Sequence, residues 1–195
     1  MTSPQPLGAP STRERLIEAT FTVVARDGLE ATSVKMIALE AGITPGLLHY
    51  HFPTKDALLE AALRRAAQSY GERLAELKTA HPPGGIVAAY LDDLRRGVDE
   101  HAAFFRVRLA FGARALSDPK LAAVMNELSE LAIGETAGLL AADHGASRPN
   151  GEDRSRAALL KACFDGIMLA YLLNPHFPLD KAVTFFKDAL HAPKP

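Results

Sequence analysis

Only one cysteine, Cys163, stands among the 195 residues, so an intrachain disulfide is impossible and small disulfide-stapled scaffolds are excluded. The thiol sits inside an apolar stretch, which gives it a packing role and points to a reducing compartment, the cytoplasm. Charge of one sign is also missing: 22 Lys and Arg face 23 Asp and Glu, a formal net charge of −1. No global field favours a polyanionic partner, and any such contact has to come from a local arrangement. Long apolar runs are absent as well. The longest, Gly166 to Leu173, falls well short of the roughly 20 residues that cross a bilayer, so no membrane partner is expected. Residues Met1 to Pro10 are polar and proline-rich, with no apolar stretch behind a basic head, and read as a flexible tail rather than a secretory signal. There is no Ser-His-Asp order, zinc-ligand spacing, Gly-rich phosphate loop or fitting carboxylate pair. Accordingly no catalytic residue, cofactor or metal ligand is assigned.

What remains is helical. Hydrophobic residues make up 48% and charged residues 23%, the balance of a packed chain. No run of alternating β-branched residues lies between hairpin turns, so the expected fold class is all-α. Ser11 and Glu14 have capping-box spacing; Leu16, Ile17, Phe21 and Val24 follow at helical intervals, and Gly28 sits where a helix stops. Ser33 caps a short helix from Val34 to Ala41 that ends at Gly42, and Thr44 caps another with Pro45 in its first turn. A long helix starts at Lys55 and runs to about Lys78, before the breaker Pro82-Pro83-Gly84-Gly85. Helical spacing returns over Ile86–Asp99, His101–Leu116, Lys120–Ala142, Asp153–Leu173 and Asp180–His191.

The window Ala41 to Lys55, AGITPGLLHYHFPTK, holds no Asp or Glu, although Glu40 and Asp56 flank it. Two short helices joined through Ala41-Gly42-Ile43 have the dimensions of a helix-turn-helix, whose second helix enters the DNA major groove. At about 100° per residue, Leu48 and Phe52 fall within roughly 40° of each other and mark the packed side. Gly46 and Tyr50 then lie opposite, Leu47 and His49 flank the outer face, and His51 sits nearer the core edge. A metal pair at His49 and His51 is disfavoured, because a spacing of two puts them on different faces with no further ligand near.

The capped first helix ending at Gly28, then Ser33-Val34-x-x-Ile37-Ala38-x-x-Ala41-Gly42-Ile43-Thr44-x-Gly46-x-Leu48, then Tyr50-His51-Phe52, Lys55 and Leu58, resembles the TetR family of bacterial transcriptional regulators. The resemblance covers about Ser11 to Leu59 and implies three parts: a tail over 1–10, a helix-turn-helix DNA-binding domain over 11–54, and a helical effector-binding and dimerisation domain over 55–195. By that resemblance Ser33, Thr44, Tyr50, His51 and Lys55 touch backbone phosphates, while Lys35, Pro45, Gly46, Leu47 and His49 lie near base edges. Two positions depart from the family pattern. Position 49 is frequently tyrosine and is His49 here, and Leu47 replaces a residue that is often polar. Few side chains are left for bidentate base contacts, so the operator is expected to be read largely through backbone fit and DNA shape.

In the second domain the segment Arg154 to Leu173 is nearly apolar all round, which asks for partners on two sides. Ala158, Ala162, Gly166 and Ala170 recur every four residues as a smooth stripe. With Phe185 and Phe186 of the last helix they resemble the family's four-helix dimer interface, and a two-fold homodimer reads a pseudo-palindromic operator. Phe104, Arg108 and Phe111 share one stripe and, with Asp165 and Met168, are candidates for an effector cavity. Arg108 has two readings: a bidentate hold on an anionic effector, or a head that reaches water or a glutamate. Asp165 also has two, a pair across the dimer or a contact with a cationic or hydroxylated ligand. The function these residues suggest is a repressor released from double-stranded DNA by a small-molecule effector. The alternatives are a protein-interaction module that uses the three-helix unit without DNA, and an all-α enzyme.

Overall fold

The computed structural model describes residues 10–191 except 97 and 175; residues 1–9, read above as a tail, lie outside it. The described residues form nine α-helices and no strand: α1 (Thr12–Asp27), α2 (Val34–Glu40), α3 (Pro45–His51), α4 (Lys55–Ala80), α5 (Ile86–Arg96), α6 (Val98–Ala115), α7 (Pro119–Asp143), α8 (Gly151–Leu173) and α9 (Leu179–His191). The all-α expectation holds.

Most helix starts follow from their caps. Ser11 and Glu14 exchange bonds across the first turn of α1, with Glu14 N to Ser11 Oγ at 3.2 Å and Ser11 N to Glu14 Oε2 at 2.7 Å. Ser33, Thr44 and Thr54 cap α2, α3 and α4 through Met36 N, Leu47 N and Ala57 N. Helix α8 begins two residues before the expected Asp153. There Asn150 and Asp153 form the reciprocal cap, a variant of the usual Ser/Thr with Glu pattern.

Three buried clusters organise the molecule. Leu16, Ile17 and Val23 of α1 meet Ile37 and Ala38 of α2, Leu48 of α3, Phe52, and Leu58 of α4. A second cluster joins Val24 and Leu29 to Leu59 and Leu63 of α4 and to Val107 and Phe111 of α6. The third lies farther along and holds Leu74, Tyr90, Leu91, Phe105, Leu139, Leu160, Phe164 and Met168. Helix α4 contributes to all three. Each fully buried Leu side chain removes enough apolar surface from water to contribute about 1.5–3 kcal/mol. The continuous α4 and the middle cluster therefore join the N-terminal trihelix to the rest by packed apolar contact.

Candidate nucleic-acid interface and effector region

The turn between α2 and α3 is set by backbone bonds. Gly42 N donates to Leu39 O at 3.0 Å and Ile43 N to Ala38 O at 2.9 Å, with Gly42 at φ 64°. This is a Schellman closure, which needs a left-handed residue at that position. Ile43 then packs back on the trihelical core and fixes the angle at which α3 leaves. Arg15 of α1 donates to the carbonyl of Ala41, and to that of Gly42 at 3.4 Å, so a cation closes the C-terminal end of α2.

That angle turns α3 outward. Leu48 is 0% exposed and Phe52 is buried, whereas Tyr50 is 82% exposed. Pro45, Gly46, Leu47 and His49 are also exposed and His51 is half-buried, the arrangement the spacing predicts. Tyr50 and His51 meet edge to face, their ring centroids 5.3 Å apart. Ser33, Lys35 and Thr44 are exposed beside them. The Ser33 and Thr44 oxygens accept from Met36 N and Leu47 N, which leaves each hydroxyl proton to donate to an outside acceptor. Lys55 differs from the rest: its ammonium donates to Leu29 O at 2.9 Å, tying the start of α4 to the segment after α1. Sequence spacing misses this tie and also misses Arg13, whose guanidinium lies 5.1 Å from the Phe52 ring centroid.

Between Ser11 and Lys55 five basic residues face five acids, so the unit carries no excess positive charge. The acids bordering α3 are neutralised within the chain. Glu40 accepts from Arg26 Nη1 at 3.0 Å, and Asp56 from Arg114 Nη1 at 3.1 Å. The outer face of α3 thus carries no charged side chain, only the exposed Leu47 beside hydroxyl, imidazole and phenol groups.

Among the later helices Arg108 meets Asp165, which joins α6 to α8. Asp165 therefore finds a partner within its own chain, and Lys161 Nζ donates to its other oxygen at 3.0 Å. The i,i+4 spacing of Lys161 and Asp165 is visible in the sequence, but the approach of α6 is not. The guanidinium lies 5.5 Å from the Phe105 ring centroid, and Phe105 meets both Phe104 and Phe164 edge to face. Burial and the charge of Arg108 push the Lys161 ammonium down to about 8. Tyr70 Oη lies 2.9 Å from Tyr90 Oη and 2.8 Å from Thr136 Oγ1. Burial raises both phenols, so they remain neutral hydroxyls at neutral pH. Met168 is buried in this same cluster. Phe111 is not, which corrects the shared stripe: one turn farther along α6, it is buried against α1 and α4 in the middle cluster.

Helix α8 leaves an apolar face uncovered in the single chain. Leu159, Leu169 and Leu173 are exposed, Leu173 by 76%, and Ala162 and Gly166 lie exposed between them. These five positions are spaced three and four apart, as in a coiled-coil seam. Ala158 and Ala170 flank the seam half-buried. On α9 Phe185 is 74% exposed, whereas Phe186 packs against its own chain's core. Among the described residues no helix is long and apolar enough to cross a membrane, and no group of three metal-ligating side chains gathers.

Comparison with known proteins agrees with this geometry. Residues 16–62 match the model of bacterial regulatory proteins of the tetR family, and residues 85–192 match the C-terminal domain of BetI-type transcriptional repressors. The chain is 31% identical to the HTH-type transcriptional regulator BetI of Serratia proteamaculans over 172 residues, covering 85% of this chain and 83% of that one. A transcriptional regulator from Rhodococcus has a similar solved structure, with 29% identity, a TM-score of 0.73, and 90% and 93% of the two chains covered. The multidrug binding protein EbrR, solved with imidazole, gives 30% identity, a TM-score of 0.62 and coverage of 95% and 98%. An outward third helix on a trihelical unit, continuous with a helical domain matched over more than half the chain, thus has a clear origin: the protein belongs to the TetR family of bacterial transcriptional regulators.

Proposed function

We propose that the chain acts in the cytoplasm as a homodimeric repressor, without catalytic activity, that holds a pseudo-palindromic operator through α3 of each subunit and lets go when a small molecule enters the helical domain. The observation that carries this is the disposition of α3: Leu48 and Phe52 anchor it while Tyr50 and its neighbours stand in the open. Ser33, Thr44, Tyr50 and His51 supply backbone contacts, with Arg13 as an added cation. Lys35, Pro45, Gly46, Leu47 and His49 meet the groove. Lys55 acts chiefly by fixing the start of α4. The seam from Leu159 to Leu173, with Phe185, covers its partner's equivalent and sets the distance between the two recognition helices.

The test is a mobility-shift titration on the DNA flanking the coding region. Tyr50→Ala combined with Lys35→Ala, both exposed and neither a helix cap, is expected to weaken binding about tenfold or more, the equivalent of one or two lost hydrogen bonds, with helix content unchanged. Unaltered binding overturns the contact assignment. A protein-interaction module would show no sequence-specific DNA affinity for salt to weaken.

A further inference from the structure

Where Arg108 of α6 meets Asp165, two cations share one carboxylate, since Lys161 on α8 donates to it as well. The other acids of the neighbourhood are placed elsewhere: Asp93 accepts from Arg73 Nη2 at 2.6 Å, and Glu135 is exposed against Gly71. Arg108 also carries an orphan. Its Nη2 reaches Asp165, but its Nε is sealed from solvent and has no hydrogen-bond partner among the described residues. Buried polar groups are nearly always paired, so an unpaired N–H on a cation marks a missing acceptor. The guanidinium lies over the Phe105 ring, which meets Phe104 and Phe164 edge to face, and the Tyr70 hydroxyl is near enough for Arg108 to act on it electrostatically.

We propose that the effector of this regulator is a small carboxylate with an apolar body, which takes the Nε edge of Arg108 and the Lys161 ammonium in place of Asp165. The proposal rests on the effector-responsive reading above and names the chemistry of its ligand. A carboxylate spans two adjacent guanidinium N–H groups in their own plane. A cation meets the excess positive charge, and a neutral ligand without an acceptor leaves Nε unpaired. Asp165, released, stands at the edge of α8 where it is already partly in water. The exchange removes the tie between α6 and α8. Arg108 adjoins Val107, which is buried against Val24, Leu29, Leu59 and Leu63, so a shift of α6 is passed directly to α1 and α4.

The full-length protein is titrated with matched probes: hexanoate, phenylacetate and naphthoate, each beside its amide and the corresponding amine. Thermal shift and operator release are read together. At least one carboxylate is expected to raise Tm and release DNA while its amide and amine do neither. Arg108→Gln and Lys161→Met are expected to bind that carboxylate about tenfold more weakly. Asp165→Asn, which removes the competitor and preserves shape, is expected to bind it several-fold more tightly. It carries the test by itself if Arg108→Gln fails to fold. Equal action by amides or amines, or weaker or unchanged binding by Asp165→Asn, overturns the proposal. A wild-type protein that holds DNA and ignores every carboxylate overturns the proposal alone. One that never holds DNA overturns the regulator reading and this proposal with it.

Discussion

At Gly42 the helix-turn-helix depends on one backbone conformation, and a side chain there would be strained in two ways. The residue is left-handed, and a Cβ would come within 3.2 Å of the Arg15 guanidinium that closes the turn. Gly42→Ala is expected to cost about 1–2 kcal/mol, a few degrees of Tm by calorimetry, and to reduce operator affinity by misaiming α3. Asp153 makes a different demand. Burial alone would raise its carboxyl, but the Asn150 amide and His144, 3.0 Å away, outweigh it and hold the group below its ordinary value of 3.8. A depressed acid stabilises the fold above its unfolded pKa, and that contribution is lost as pH falls through the lower folded value. Tm measured from pH 6 down to 3 should therefore drop less for Asp153→Asn than for the wild type, the variant starting lower. At this scale the sequence is legible where periodicity decides, as at Leu48, Phe52 and Tyr50. It is silent where a contact spans distant residues: nothing in the local pattern reveals that Lys55 reaches Leu29, 26 positions away.

Among the elements, α6 is the one whose role periodicity could not resolve. Its residues form stripes on any helical wheel, but the stripe containing Phe104, Arg108 and Phe111 is divided by the elements that pack on it. The first two face α8 and its neighbours, while Phe111 is buried against α1 and α4. A stripe shows which residues share a side, not how many partners that side meets. Phe111→Ala should accordingly cost about 3–5 kcal/mol in urea unfolding, as expected for an emptied core site, while leaving the Arg108 neighbourhood unaltered. Helix α8 shows the same limit in milder form. The small-residue stripe was visible from Ala158 to Ala170, but the exposed seam is rotated toward Leu159 and Leu173, because α6 and α7 occupy the flank that the stripe alone left undecided.

For the whole molecule, the uncovered α8 face and the neutral recognition unit have linked consequences. Leu159→Glu with Leu173→Glu places like charges across the proposed seam and is expected to give monomers by light scattering. Operator binding should then fall steeply, since one half-site must hold alone. With so few cations near α3, wild-type affinity should decline with salt at a log-log slope set by few phosphates, measurable by anisotropy. The pair between Arg114 and Asp56 adds a final element. Arg114 lies in the last turn of the helix that carries Arg108, and Asp56 is the second residue of α4, 68% exposed. On the operator-binding reading proposed above, a displacement of α6 that parts them would leave the Asp56 charge uncompensated on the side turned to the phosphates. Ligand entry would thus do more than misalign the two reading heads: it would switch on a short-range repulsion that hinders rebinding until α6 returns.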